Sequence, residues 1–570
     1  MLLRVTDTDT NAALLTGFDP DTAGYAITVP DTTTQLTVSA ETADGKALAI
    51  FQETVHLVYE TTPIVITVIA ENGTKQEYTV TVTLNGKAVN PDPGLPPELS
   101  AFRFETSNNP GLPSDLLSSV YDETKLRYTF STSAWIDNID KLKASFTATG
   151  EVTVNTAAQV SGVTANDFRH DVVYTVSSGG TAKVYTIRFK SPQASGLPVI
   201  KIDTQGKAAI HKTDYVKTNI AITDPDNPGY SFENVGYGDE IRGRGNSTWT
   251  HPKKPYRLKF NKKTALFGEE AAKSWVLLAN WLDPTFIMNT VTFELGRRIG
   301  LPYTNHAHHV ELFLNGDYQG SYVLTEHMQT GKGRVNIDEK DGYLVEVDNH
   351  YDEDPKFIAN RWDEMKIMIK TPEDLTDPAG YDFVKNSIND LAERLYNRSF
   401  TGSADYKNLI DMDTFVDYLL ICEVVFKHEI HEIQSVFMYK DKGGKISMGP
   451  LWDFDWDFGY SLNGSNRVYF NWPKERLFPG GTPSNTIHFF DRFFEDPVFR
   501  TQYKAHWNAN YAKITGMTAF IDEMASLLAE SQSCNSEKWG DASVDYAGEI
   551  TKMKNWWTTR VGYLNTEINR

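Results

Sequence analysis

The sequence predicts a multidomain chain: two N-terminal all-β sandwiches followed by an α+β two-lobed domain. Three observations carry this. Residues 1–90 are rich in Thr and Val and alternate apolar with polar positions. Residues 91–97 form a proline-rich break. From residue 196 onward Trp, Lys, Arg and helical periodicity all rise. At roughly 100–200 residues per domain, 570 residues hold three or four such units.

In the first unit, residues 1–90, "YAITVP", "TQLTVSA", "PIVITVIA" and "EYTVTVTLNG" have the period of half-buried strands. Asn72-Gly73 is a hairpin signal between the last two. This stretch resembles the cadherin-like β-sandwich modules of bacterial surface proteins. Pro91, Pro93, Pro96 and Pro97 then favour an extended, semi-rigid spacer. Residues 98–195 form the second β-rich module. Its ending, "VVYTVSSGGTAKVYTIRFK", repeats the first module's strand, Gly-containing turn, Thr, strand. Tandem modules of this kind are expected to act as spacers or stalks, with carbohydrate or cell-surface contact as a further expectation.

Residues 196–570 are strand-rich to about residue 370 and helical beyond it. A helix is expected over 284–299, with Asp283 as its cap, Pro284 in its first turn, and Gly300 and Pro302 ending it. "YDFVKNSINDLAERLYN", "DMDTFVDYLLICEVVFK" and two C-terminal stretches are amphipathic helices. Strands followed by helices suit two lobes.

Lys+Arg 55 against Asp+Glu 75 leaves a net charge of −20, which argues against nucleic acid or an anionic membrane as the main partner. A local basic pocket for a nucleotide remains compatible with it. Two cysteines exclude a disulfide scaffold, and Cys422 sits in apolar helical sequence as a core residue. No stretch reaches the ~18 apolar residues that a membrane span needs. No signal segment precedes the first strand-like sequence, so Met1 reads as the start of a mature domain, and the expected location is outside the cytoplasm.

Several motifs point to chemistry. In "IRGRGNSTWTHPKKPYRLKF" (241–260), Gly243 and Gly245 permit close backbone approach, and Asn246, Ser247 and Thr248 offer short polar groups. Arg257 and Lys259 fall on one face of the strand that follows. A glycine turn feeding a cationic strand is how kinases cover phosphates. An ordinary hairpin with a solvated basic strand fits the same residues. Glu294 suits either a phosphate-contacting lysine or its neighbours Arg297 and Arg298. A strand ends at Thr325-Glu326-His327, where a kinase places its hinge to the adenine. Asp453, Asp455 and Asp457 in "GPLWDFDWDFGY" lie among aromatics, a costly placement unless they bind something, and Mg²⁺ or Mn²⁺ is the natural candidate. Extended geometry would put all three on one face; a turn after Asp453 would separate them. His428, Glu429, His431 and Glu432 form HEIHE, not the HExxH of a zinc protease. His306, His308 and His309 read as solvated loop histidines, although a metal site could recruit them.

Together, "RGRGNSTW", "KKPYRLKF", "KSWVLLANWLD", "HVELFLNGDYQGSYVLTEH", "GKGRVNI", "GYLVEVD" and "GPLWDFDWDFG" resemble the CotH kinase family of spore-coat kinases, in order, over about residues 198–560. The resemblance implies an atypical protein-kinase-like fold that uses ATP and Mg²⁺ or Mn²⁺ to phosphorylate Ser or Thr of partner proteins. It implies that Asp453 is the metal ligand equivalent to the kinase DFG aspartate, with Asp455 as a second ligand. Arg242, Gly243, Arg244, Gly245, Asn246, Ser247, Arg257 and Lys259 would lie near the phosphates. Glu294, Glu326 and Trp452 would complete the nucleotide site. One departure stands out. The loop where the family carries a catalytic Asp reads "KHEIHEIQS", and Glu429 is the nearest acid. An active kinase, a pseudokinase that serves as a surface binding protein, and another metal-dependent phospho- or nucleotidyltransferase all follow from that pattern.

Overall fold

The computed structural model describes every residue except 1, 31, 58–60, 73, 86–95, 118, 373, 374, 376, 464, 465, 479–487 and 541–544. Residues 91–95 of the expected spacer and Gly73 of the expected turn therefore lie outside the described residues. The chain divides into two compact units: Met1–Ser131 with Ile136–Phe189, and Thr132–Trp135 with Lys190–Arg570.

The first unit is all β. Leu2–Asp7, Gln35–Glu41 and Thr54–His56 form one sheet; Gly24–Pro30, Lys75–Asn85, Thr61–Ile69 and Leu48–Ile50 form a second. Strand alternation turns Val5, Leu36 and Val38 of one sheet and Ile66, Val80 and Val82 of the other into a shared core. Gly24–Pro30 and Lys75–Asn85 pair in parallel, so the chain crosses over rather than meandering. Further along, Val172–Ser178 and Thr181–Lys190 make the hairpin at the centre of a six-stranded sheet, with two short two-stranded sheets beside it.

The second unit is α+β. Val199–Thr204, Val216–Thr223, Phe232–Gly243, Tyr256–Thr264, Ala272–Leu278, Asp317–Glu326 and His308–Leu314 follow one another around a closed barrel. The closing contact is parallel, between Val199–Thr204 and His308–Leu314. Alternate residues such as Ile200, Ile220, Leu258, Trp275, Leu312 and Leu324 fill its interior. A five-stranded antiparallel sheet follows, ordered Lys356–Ile358, Lys366–Thr371, Tyr343–Val347, Val436–Lys440, Ile446–Met448.

The helices are α1 (Met288–Ile299), α2 (Pro378–Tyr396), α3 (Met412–Val425), α4 (Pro497–Thr515), α5 (Met517–Trp539) and α6 (Tyr546–Asn569). Helix α1 begins later than the sequence suggests. Asn280 and Phe286 have φ of 47° and 61°, so the chain turns before it winds. Ile287, not Asp283, is therefore at the N-cap and makes no side-chain cap bond; Asp283 instead braces the preceding turn, accepting hydrogen bonds from the Thr285 and Met288 amides at 2.7 Å each. Helix α3 is buried on all sides, with Asp411 as its cap. Among the described residues, no helix is long and apolar enough to cross a membrane.

His309 fastens α1 to the barrel. Its Nε2 lies 2.9 Å from the Thr290 hydroxyl. Burial, with His308 and Lys253 adding repulsion, pushes its pKa from 6.5 down to about 3. The folded pKa is below the unfolded one. The stability this provides is therefore full above pH 6.5 and drains as pH falls toward 3. Between pH 7 and pH 5, wild type should lose about 2 kcal/mol that His309→Gln does not, read from paired denaturation curves.

Candidate functional site

A cavity of about 510 Å³ is lined by barrel residues and by residues of the sheet-and-helix half. The barrel supplies the cations. Lys212, Arg242, Arg244 and Arg257 face the cavity. The 3₁₀ turn Ser247–Thr250 and Gly245, at φ 79°, bring the chain past its rim. A Cβ on Gly245 would meet the Thr248 hydroxyl at 2.0 Å, so this turn needs glycine. Lys212 Nζ donates to Asn246 Oδ1 at 2.9 Å, and Arg242 Nη1 to the Lys212 carbonyl at 3.0 Å. Arg244 sits 5.3 Å over the Trp452 ring. Burial, then Arg257, Arg244, Lys370 and Arg242, drive the His327 pKa well below its usual range. Cationic charge is therefore concentrated around a neutral imidazole.

The other half supplies carboxylates. Residues 451–460 are not a strand; Asp453 takes a left-handed φ of 62° and turns the chain. That turn separates the three aspartates. Asp453 and Asp455 line the cavity, whereas Asp457 is fully buried, 3.5 Å from Lys427 Nζ. Lys427 also donates to the Asp453 carbonyl at 2.9 Å and lies 3.8 Å from Glu429. Burial opposes the charge on Lys427, but Asp457, Glu429 and Asp453 outweigh it and raise its pKa. Asp348 completes the anionic wall. Its Oδ2 accepts from the Ser435 amide at 2.9 Å, and the Ser435 hydroxyl reaches Asp453 Oδ2 at 3.4 Å. Glu346, raised to about 7 by burial, pairs with Lys370 at 3.2 Å.

A protein-family model described as "CotH kinase protein" matches residues 241–564, more than half of the chain. The chain belongs to the CotH kinase protein family. A second model, "Cadherin-like beta sandwich domain", matches residues 3–85. No curated protein matches the chain. Among solved structures, PcdhgB3 EC1-4 shares 8% identity, covering 42% of this chain and 70% of that one with a TM-score of 0.10. A protocadherin gammaB7 EC3-6 structure shares 10%, covering 42% and 69% with a TM-score of 0.09.

Within the CotH region, Arg242, Arg244, Gly245, Asn246, Ser247 and Arg257 share one cavity with Glu429, Trp452, Asp453 and Asp455. Four residues expected beside them lie elsewhere. A Cβ on Gly243 would come within 2.3 Å of the Trp249 ring, so this glycine admits a side chain rather than a ligand. Lys259 projects from the barrel to Glu240 at 3.4 Å. Glu294 pairs along its own helix with Arg297 at 3.0 Å and Arg298 at 2.7 Å. Glu326 turns from the cavity to His306, while the next residues, His327 and Met328, line it. The structure adds Lys212, Glu346, Asp348 and Lys370, which the sequence alone does not single out. The available signal was an acidic pair in the apolar strand "GYLVEVD", which only pays off if the strand edges a polar cavity.

The family implies ATP and a divalent metal. Asp453 and Asp455 suit a hard cation. Asp455 Oδ1 is buried with no hydrogen-bond partner, and burial together with Asp453 raises the Asp455 pKa well above the carboxylate range. A divalent ion would offset both penalties.

Proposed function

We propose that this chain is an ATP- and divalent-metal-dependent protein kinase of the CotH type that phosphorylates Ser or Thr outside the cytoplasm. The observation that carries this is the opposition, across one cavity, of Lys212, Arg242, Arg244 and Arg257 to Asp348, Glu429, Asp453 and Asp455. The cations accept and orient a triphosphate. Asp453 and Asp455 would hold Mg²⁺ or Mn²⁺, which neutralises phosphate charge when bound. Lys370 and Glu346 supply the lysine–glutamate pair that a kinase site uses. Glu429 takes the proton of the attacking hydroxyl. Burial raises its pKa, which strengthens it as a base, and Lys427 favours its ionised form. On this reading residues 1–90 and 98–195 are tandem sandwiches, joined by the spacer 91–97, that hold the region 196–570 at a cell surface.

Glu429 in place of an aspartate favours one second reading, a nucleotide-binding pseudokinase acting as a surface binding protein. Incubation with ATP labelled in the γ-phosphate, Mn²⁺ and a generic protein substrate separates the two. Kinase activity gives an 80-Da-class phosphate adduct by mass analysis. Glu429→Gln should then lower turnover by about 10²–10⁴-fold with ATP affinity retained. Binding without transfer selects the pseudokinase, and an AMP adduct selects a nucleotidyltransferase.

The placement of the cations makes a second test. Arg244→Ala should weaken ATP binding by about 10–100-fold, the scale of a charge-assisted hydrogen bond. Lys259→Ala and Glu294→Gln should stay within about twofold of wild type by calorimetry.

A further inference from the structure

The barrel carries a second cluster of ligating side chains, away from the residues that line the cavity. Glu269, in the loop after Tyr256–Thr264, His306, just before His308–Leu314, and Glu326, at the end of Asp317–Glu326, each direct one atom to a common point. Those three atoms lie within 4.8 Å of one another. His306 Nδ1 is 3.1 Å from Glu269 Oε2 and 2.6 Å from Glu326 Oε1. Tetrahedral zinc, with bonds of about 2.0–2.2 Å, spaces its ligand atoms by roughly 3.3 Å, so small side-chain shifts would admit it.

The outer oxygens of both carboxylates are already held. Glu326 Oε2 accepts from the His306 amide at 2.7 Å. Glu269 Oε1 lies 3.1 Å from His308 Nε2. Each carboxylate is thus oriented by one oxygen and presents the other, as outer partners do around bound metals. Arg334, itself buried, pairs with Glu326 Oε1 at 3.7 Å, beyond hydrogen-bond reach, so a bound ion would share that carboxylate with its charge. His306 is 37% exposed, which leaves a way in from solvent. His309, three residues beyond His306, is turned inward to Thr290 and takes no part.

We propose that Glu269, His306 and Glu326 form a zinc-type divalent cation site on the barrel, separate from the nucleotide cavity. One imidazole nitrogen and two carboxylate oxygens suit zinc among common biological cations, since magnesium and calcium prefer all-oxygen sites. The ion takes the place of the hydrogen bond between His306 Nδ1 and Glu326 Oε1. It ties the Glu269 loop to the strand end that leads into His327 and Met328.

The test uses metal-stripped full-length chain carrying Asp453→Asn and Asp455→Asn, so that the cavity carboxylates do not compete. Zinc chloride is titrated by calorimetry, and the zinc absorption edge is recorded. The expected result is one zinc per chain with nitrogen and oxygen ligands and a raised Tm. Added His306→Gln or Glu269→Gln weakens binding tenfold or more, while Glu294→Gln does not. Glu269→Gln covers the case in which His306→Gln fails to fold. Equal affinity in the parent and both ligand variants, or no zinc uptake by the parent, overturns the proposal. The result is independent of whether the chain is a kinase.

Discussion

Asp453→Asn should reduce phosphoryl transfer by at least about 10³-fold, roughly 4 kcal/mol of transition-state stabilisation. Asp453 is the exposed carboxylate at the centre of the site. Ser435 reaches its side chain at 3.4 Å, and Lys427 holds its carbonyl at 2.9 Å. Asn is the right replacement because the residue has φ 62°, a conformation that Asn tolerates and Ala resists. Removing the charge therefore leaves the turn intact, and Tm should change little. Transfer is followed as labelled phosphate per minute at saturating ATP and Mn²⁺. Equal rates in the two proteins would remove Asp453 from the site.

The largest loss of stability should follow Arg560→Met, about 3–5 kcal/mol. Arg560 projects from α6 and is fully buried. Its Nε donates to the Glu423 and Val424 carbonyls at 2.9 Å each, and its Nη1 to the Glu475 carbonyl at 2.8 Å. Glu423 Oε1 lies 3.3 Å from Nη2, and the Phe426 ring 4.6 Å from the guanidinium. The Glu423 and Val424 carbonyls belong to the last turn of α3, so Arg560 is a cap supplied to that helix by a distant segment. Truncation leaves those carbonyls and Glu423 buried without that partner. Adding Glu423→Leu should recover only part of the loss, because Glu423 also accepts from Arg476 at 3.1 Å and from the Leu477 amide at 2.9 Å. Chemical denaturation of Arg560→Met, Glu423→Leu and the double variant measures the coupling. Lys427 and Glu429 follow α3 directly, so catalytic turnover should fall with stability.

Much of this was legible in the sequence where local chemistry decides. Gly300, at φ 115°, ends α1 where the sequence says it should. Asp411 caps α3, and period-2 alternation identifies the faces of the sandwich strands and barrel strands. The cavity was legible at its loops, since the glycine turn at Gly245 and the acidic cluster at Asp453 both stand out, although the sequence left an extended strand and a turn at Asp453 equally open. It was not legible along the strands and helices. Lys259 and Glu294 have the right chemistry on the wrong faces, and only the barrel's curvature and the seating of α1 decide that. Asp348 and Lys370 are ordinary charged residues until the five-stranded sheet brings them into the cavity that Glu429 also lines. Helix α5 is not legible because its apolar positions are diluted by Ser, Glu and Asn.

The parallel closure of the barrel has a consequence for the order of events during synthesis. Val199 pairs with Glu311, and four other strands and α1 are made between them. The first strand must wait, with one edge open, until His308–Leu314 leaves the ribosome. Long-range pairings of this kind are slow to form. A chain arrested before residue 308 should therefore expose a ready template for intermolecular strand addition, and the aggregation of nascent fragments should drop sharply once that strand has emerged.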